Sequence, residues 1–305
     1  MDGNAPVYGG IEAGGTKWVC AVADAGGGVL TTEVIPTTTP ETTIRAAVRF
    51  FEDRRPLAAI GIGTFGPVDV RPGSPTYGRV LATPKPGWAH VDVVSPLRAT
   101  LGVPVRLDTD VNAAALGEWR RGAGAGLGTL AYMTVGTGVG VGAVVNGGLV
   151  HGLLHPEFGH IRVPHDLVRD PFAGSCPFHG DCLEGLASGE AMRRRWGRPA
   201  EHLDDPSVWE LEAEYVALAV LNLTYALSPE RIVVGGGVAK NPALLPAVRA
   251  RLLALAAGYP GEPVPVDAAA MDEYVTGPFL GDRSGVVGAV ELARAARPAP
   301  NPPVL

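Results

Sequence analysis

Two apolar runs, 7–11 and 17–23, open the chain, separated by Glu12-Ala-Gly-Gly-Thr16. Both are rich in β-branched and small apolar residues and read as strands, with the glycines as the turn between them. Further strands are predicted at 58–64, 104–108, 129–135, 140–145 and 231–234. Helical periodicity marks 40–54, 112–121, 207–227, 242–257 and 285–296. Asn241 followed by Pro242 supplies a cap and a first-turn proline for the fourth of these helices. Strands alternating with helices define an α/β fold. The proline-rich tail from Arg297 to Leu305 cannot continue the last helix and is expected to be ordered only where it docks.

The chain also repeats itself. The strand, Gly/Thr loop, strand and glycine turn that end at Gly28 are answered by 132–135, Gly136-Thr137-Gly138, 140–145 and Asn146-Gly147-Gly148. Asn-Gly is a strong hairpin signal. Two glycine-tipped hairpins heading two halves predict a duplicated domain with the tips facing one cleft. Glycine lets backbone N–H groups approach an anion, and Thr16, Thr137 and Lys17 add donors and charge, so the tips are expected to clamp the phosphates of a nucleotide. The first tip is not a Walker loop, because Lys17 follows Thr16 and a strand, not a helix, comes next. A third site, Gly235-Gly236-Gly237, follows a buried strand, where a base or ribose could rest on the backbone. The run Gly61 to Gly66 matches a dinucleotide fingerprint in letters only. Pro67-Val68-Asp69-Val70 follows where a helix must open, so a Rossmann site is rejected.

A chain of 305 residues suits two domains. Its net charge of -6 gives no electrostatic reason to expect a nucleic-acid partner. The densest basic cluster, Arg193-Arg194-Arg195, is expected to be a solvated helix face. No run is long enough for a membrane span, no signal pattern opens the chain, and three cysteines make no disulfide framework. The cytoplasm is the expected compartment.

Candidate chemistry concentrates in two places. In 106–118 a strand ends near Asp108 and an Ala-rich helix begins near Asn112, which puts Asp110 at the C-terminal edge of the sheet. A carboxylate there can take the proton of an attacking hydroxyl, or it can simply cap the helix. Asp108, two residues earlier, reads as structural. The second place is His155-Pro-Glu-Phe-Gly-His160 followed by Cys176, His179 and Cys182. Two cysteines and a histidine at three-residue spacing with an upstream histidine form a Cys₂His₂ set for structural zinc. His160 is the chosen fourth ligand, with His155 and His165 as rivals. Such a metal would also fix Glu157 and Glu184, whose carboxylates suit hydrogen bonds to sugar hydroxyls.

Taken in order, Glu12-Ala-Gly-Gly-Thr-Lys17, Asp108-Thr-Asp-Val-Asn112, Gly136-Thr-Gly-Val-Gly140, Glu157-Phe-Gly-His160, the Cys-His-Cys loop ending in Glu184, and Gly235-Gly-Gly-Val238 resemble the ROK family (repressors, open reading frames and kinases). Thr83-Pro-Lys-Pro-Gly-Trp88 is similar to a segment of its bacterial fructokinases. The resemblance spans roughly 7–295. It implies an actin-like ATPase (ribonuclease H-like) fold of two α/β domains, 1–118 plus 286–305 and 119–285, with the active site in the cleft. It implies ATP with Mg²⁺ as phosphoryl donor, held by Glu12, Gly14, Gly15, Thr16, Lys17, Gly136, Thr137, Gly138, Gly236 and Gly237. Asp110 becomes the general base, Gly66, Thr109, Asp110, Glu157, His160 and Glu184 the sugar site, and His160, Cys176, His179 and Cys182 the zinc ligands. The expected partners are a sugar and ATP, with neither nucleic acid nor membrane, and the expected assembly is a homodimer.

Three departures from the commoner glucokinase pattern bear on this reading. Glu12 replaces an Asp, which bears on the reach to Mg²⁺. Thr109 replaces an Asn and so removes an amide that would contact glucose, and His179 stands where a cysteine is usual. The second favours fructose, phosphorylated at O6. Kinases for mannose, glucose or an N-acetylated hexosamine are the alternative, and a sugar-sensing repressor is the competing class. A repressor needs a helix-turn-helix ahead of the first strand, and six residues precede Val7.

Overall fold

A computed structural model describes residues 5–54 and 56–296. The proline-rich tail lies outside them. The chain forms two compact units. The first takes the chain up to Arg120, a short return at His151–His155, and the chain from Arg283 on; the second takes Arg121–Val150 and Pro156–Asp282.

Each unit is built on a five-stranded mixed sheet. The first contains β1 (Val7–Ala13), β2 (Lys17–Ala23), β3 (Val29–Pro36), β4 (Leu57–Thr64) and β5 (Val105–Thr109), in the order β3-β2-β1-β4-β5. The second contains β6 (Leu130–Val135), β7 (Val139–Val145), β8 (Gly148–Leu149), β9 (Arg231–Gly235) and β10 (Val275–Thr276), in the order β8-β7-β6-β9-β10. In both, the first three strands form an antiparallel meander, and the fourth and fifth run parallel to the first. The self-resemblance of the two hairpins is therefore a duplication of whole sheets. β3 was not among the predicted strands. Of its eight residues only Ile35 is buried, so it is a solvated edge without the alternation that marks a half-buried strand.

The helices are α1 (Pro40–Glu52), α2 (Ser95–Leu101), α3 (Asp110–Arg121), α4 (Leu183–Ala187), α5 (Gly189–Trp196), α6 (Pro206–Leu227), α7 (Leu244–Ala256), α8 (Ala268–Tyr274) and α9 (Ser284–Arg294). α1 starts where Thr39 accepts the Thr42 N–H, and it turns Ile44, Ala47, Val48 and Phe51 inward. Burying a side chain such as Phe51 stabilises the unit by roughly 1.5–3 kcal/mol. Two predicted helix starts are corrected. α3 begins at Asp110, two residues before Asn112. α7 begins at Leu244, because Asn241 Oδ1 accepts the Ala243 N–H in a turn that precedes the helix.

α9 returns to the first unit and packs on β1 and β4. Its approach explains the false dinucleotide fingerprint: a Cβ on Gly61 would lie 1.9 Å from Ala289 O. α3 and α9 also meet backbone to backbone, since a Cβ on Gly288 would lie 1.6 Å from Ala113 O. The long connection from β4 to α2 is held by buried Asp69, which accepts from Arg71, Ser74 and Thr76 side chains. The Arg71 guanidinium holds its carboxyl far below the usual range. Trp88 from this connection is wholly buried between Trp18 and Phe65, and its Nε1 donates to Thr38 O.

Candidate active site and metal cluster

The corner from β5 into α3 is a chain of side-chain-to-backbone bonds. Asp108 is buried, and its Oδ1 accepts from Thr109 N–H and from Asn112 Nδ2, both at 2.8 Å. Its Oδ2 lies 2.8 Å from His151 Nε2. That hydrogen bond pushes the His151 pKa up. With its oxygens committed in this way, Asp108 serves the architecture of the corner. Thr109 Oγ1 accepts the Asn112 N–H at 3.1 Å and so caps α3. Capping therefore does not fall to Asp110, whose Oδ1 accepts the adjacent Val111 N–H at 2.8 Å. Burial pushes the Asp110 carboxyl up to about 6, against the lowering effect of the backbone N–H groups. A half-buried carboxylate with that affinity for protons, at the C-terminal end of parallel strands, is suited to general-base work near neutrality. Nothing in the sequence singles out His151; its role becomes visible only where the 151–155 segment rejoins the first unit.

The glycine sites differ in construction. At the first tip Gly14 N–H donates to Lys17 O, and Thr37 Oγ1 donates to Gly14 O, while Thr16 and Lys17 are exposed. Among the described residues no non-neighbouring atom lies within 4 Å of a Cβ position on Gly15 or Gly237, so both leave room for an approaching group. Glu12 lies against the start of α9, where a Cβ on Gly285 would come 2.5 Å from its Cδ. At the second tip Gly136 N–H donates to Gly138 O at 2.9 Å, and Thr137 is exposed. A Cβ on Gly136 would lie 3.6 Å from Gly237 N, so the third glycine site adjoins the second tip. Gly66 follows β4, half-buried, next to Phe65, whose N–H donates to Ala13 O.

Glu184, on the short helix α4, reaches the same second tip. Its Oε2 accepts the Val139 N–H at 3.1 Å, and a Cβ on Gly138 would lie 2.5 Å from that oxygen. Glycine at 138 thus makes room for the carboxylate.

His160, Cys176, His179 and Cys182 offer ligand atoms that all lie within 4.8 Å of one another. His160 Nδ1 is 3.7 Å from Cys176 Sγ, 3.5 Å from Cys182 Sγ and 3.3 Å from His179 Nδ1. Two thiols and two imidazoles at these separations match the edge lengths of a tetrahedral zinc site. The rival histidines are engaged elsewhere. His155 Nε2 accepts the Val68 N–H at 3.1 Å, and His165 lies between Asp170 and Asp181. Glu157 is 4.0 Å from His160 Nε2 and nearly half exposed.

The basic triplet needs a correction. Arg193 and Arg194 are solvated and pair with Glu190. Arg195 points inward: its side chain is 5% exposed and is ion-paired with buried Asp170 at 3.0 Å. Successive helical residues are rotated by about 100°, so three identical letters cannot share one face.

Paired sheets of this topology, each opened by a glycine-tipped hairpin, define the actin-like ATPase class of α/β proteins. Within that class the chain belongs to the ROK family, whose profile matches residues 8–296. It is 44% identical over 306 residues to the fructokinase of Zymomonas mobilis subsp. mobilis, covering 97% of this chain and 99% of that one. With the fructokinase of Pediococcus pentosaceus it shares 42% identity over 292 residues, 95% and 98% of the two chains. A crystal structure of a ROK family glucokinase from Streptomyces griseus, in complex with glucose and AMPPNP, superposes with a TM-score of 0.76 at 29% identity, covering 95% of this chain and 99% of that one.

Proposed function

We propose that this chain is an ATP-dependent fructokinase that transfers the γ-phosphoryl group to O6 of D-fructose. The observation that carries the chemistry is Asp110: a carboxylate with its pKa raised to about 6, free of the capping role and seated at the C-terminal end of β5. The fructokinases named above, similar over nearly the whole length, support the choice of sugar. Thr109 in place of an amide side chain points the same way.

Asp110 accepts the proton of the attacking hydroxyl as that oxygen bonds to phosphorus and the bond to the ADP oxygen breaks. Glu157, His160, Glu184, Thr109 and Gly66 are the residues we assign to the sugar, with carboxylates accepting from its hydroxyls. Gly14, Gly15, Thr16, Lys17, Gly136, Thr137, Gly138, Gly236 and Gly237 are assigned to ATP, the open backbone at Gly15 and Gly237 giving phosphate and ribose room to approach. Glu12 is the acidic residue we assign to Mg²⁺, which would neutralise charge on the phosphates when bound. His160, Cys176, His179 and Cys182 would hold one zinc ion, whose contribution is to fix the loop that carries Glu184. ATP and free hexose place such an enzyme in the cytoplasm, and a homodimer is the assembly we expect, measurable by light scattering.

The test is ADP release with Mg²⁺-ATP over fructose, mannose, glucose and N-acetylated hexosamines, beside Asp110→Ala. Fructose is expected to give the highest kcat/KM, and the variant to lose turnover while still binding ATP. Turnover retained in the variant would move the base to Asp108. Sugar binding without any turnover in the native protein would make it a sensor.

A further inference from the structure

α4 is too short to hold itself in place. It has five residues, and its N-terminal flanking residue Cys182 makes no side-chain capping bond. Yet it carries Glu184, whose carboxylate must be aimed to within a fraction of an ångström to recognise a hydroxyl. Both ends of its segment are tied to one buried hub. At the C-terminal end Arg195 Nη1 donates to Leu186 O at 2.8 Å. At the N-terminal end Asp181 Oδ2 lies 3.4 Å from His165 Nδ1. Arg195 and His165 converge on Asp170: Arg195 Nε donates to its Oδ1 at 3.1 Å, and His165 Nε2 donates to its backbone carbonyl at 3.0 Å. Tyr215 from α6 closes the hub, its OH donating to Asp170 Oδ2 at 2.6 Å. The Arg195 guanidinium lies over the Phe172 and Tyr215 rings, with centroids 4.6 and 5.6 Å away.

We propose that the buried Asp170–Arg195 pair, with His165, is a positioning device that aims Glu184 at the sugar. This rests on the reading of Glu184 as a sugar contact. The pair is a weak source of net stability, because both charges leave water here, each side chain no more than 5% exposed, even though Arg195 also faces the buried carboxyl of Glu212. What an apolar pair cannot supply is direction. A guanidinium held on one edge by a carboxylate presents its remaining N–H along a fixed line, and that line ends on Leu186 O, two residues from Glu184. The hub therefore acts through α4 and touches no reacting atom.

The test uses the full-length, zinc-loaded protein. The neutral pair Asp170→Asn/Arg195→Met removes both charges while keeping volume, and His165→Gln disturbs the contacts to Asp181 and to the Asp170 carbonyl while leaving the Arg195 bond to Leu186 O in place. Fructose KM, ATP KM, kcat, zinc content and Tm are measured for each, alone and combined with Glu184→Gln. We expect fructose KM to rise about tenfold in the neutral pair and about threefold in His165→Gln, with ATP KM and zinc unchanged. Adding Glu184→Gln to the neutral pair is expected to cost little more than Glu184→Gln alone, because both act on one carboxylate. An unchanged fructose KM in both hub variants overturns the proposal. So does loss of zinc, or a parallel loss of ATP affinity, either of which marks general disruption. Multiplicative effects in the combined variant overturn it too. If Glu184→Gln alone leaves fructose KM unchanged, the sugar role of Glu184 itself has failed, and the hub with it.

Discussion

Asp110→Asn should make the protein more stable and inactive at once. An ordinary aspartate loses its proton near 3.8, whereas burial moves Asp110 to about 6. At 1.36 kcal/mol per pH unit this difference corresponds to about 3 kcal/mol. The sign follows from linkage. The native state holds the Asp110 proton more tightly than the unfolded chain, so ionisation is penalised only in the fold. The penalty is absent below the unfolded pKa, grows as pH rises through the interval between the two values, and is complete above the native one. Asparagine keeps the oxygen that accepts the Val111 N–H and carries no charge to penalise. Urea unfolding of native protein and variant at pH 5.0 and 7.5, conditions chosen to lie within the interval and above it, reads the effect. The variant is expected to gain about 1–3 kcal/mol at the higher pH and less at the lower one, and to show no turnover. The native kcat/KM should fall on the acid side with an apparent pKa near the same value of about 6. A variant no more stable than native at the higher pH, together with an acid limb near that of a free carboxylate, would refute the account of Asp110 as a desolvated base.

Three further outcomes are expected. Gly138→Ala places a methyl 2.5 Å from Glu184 Oε2 at a tip also assigned to ATP, so it should lower kcat/KM for fructose about tenfold and weaken ATP as well, read by steady-state kinetics with each substrate varied. Purified protein should carry one zinc per chain by elemental analysis. Chelation or Cys182→Ser should lower Tm, since a metal held by His160, Cys176, His179 and Cys182 binds the folded loop and removing it, or one of its ligands, removes that binding free energy. Gly288→Ala drives a Cβ into the Ala113 carbonyl and should cost about 2 kcal/mol or more in urea unfolding.

The α/β class and the duplicated hairpins were legible because 7–11, 17–23 and 140–145 are buried strands flanked by glycine. β3 was not, because its residues face water and its pairing with β2 is a backbone matter that leaves little trace in the side chains. α4 and α8 are one or two turns long, and tertiary bonds fix them where periodicity cannot. Spacing alone could not separate His155 from His160 as the fourth member of the cluster; the distinction lies in what each ring meets, the Val68 N–H for His155 and the Cys176 and Cys182 sulfurs for His160. Nor could letters show that Arg195 faces inward while Arg193 and Arg194 face out. Asp110 could be proposed from its place after a strand, but its raised pKa is a property of the packed corner. The family resemblance supplied most of the assigned sugar and nucleotide residues; geometry supplied the hub behind Glu184 and the bond between Asp108 and His151.

The return of α9 to the first unit has a consequence for how the protein is made. Tyr8, Ala23 and Ala59 on the first sheet are covered by Val290 and Ala293, residues that leave the ribosome only after the whole second unit. During synthesis the first sheet must wait with that face bare, while the second unit already has its sheet and α6 and α7. An arrest or frameshift shortly before α9 would therefore harm the first-made half of the molecule more than the last-made one. The nascent chain carries its exposed apolar face near its beginning, where early-acting chaperones meet it.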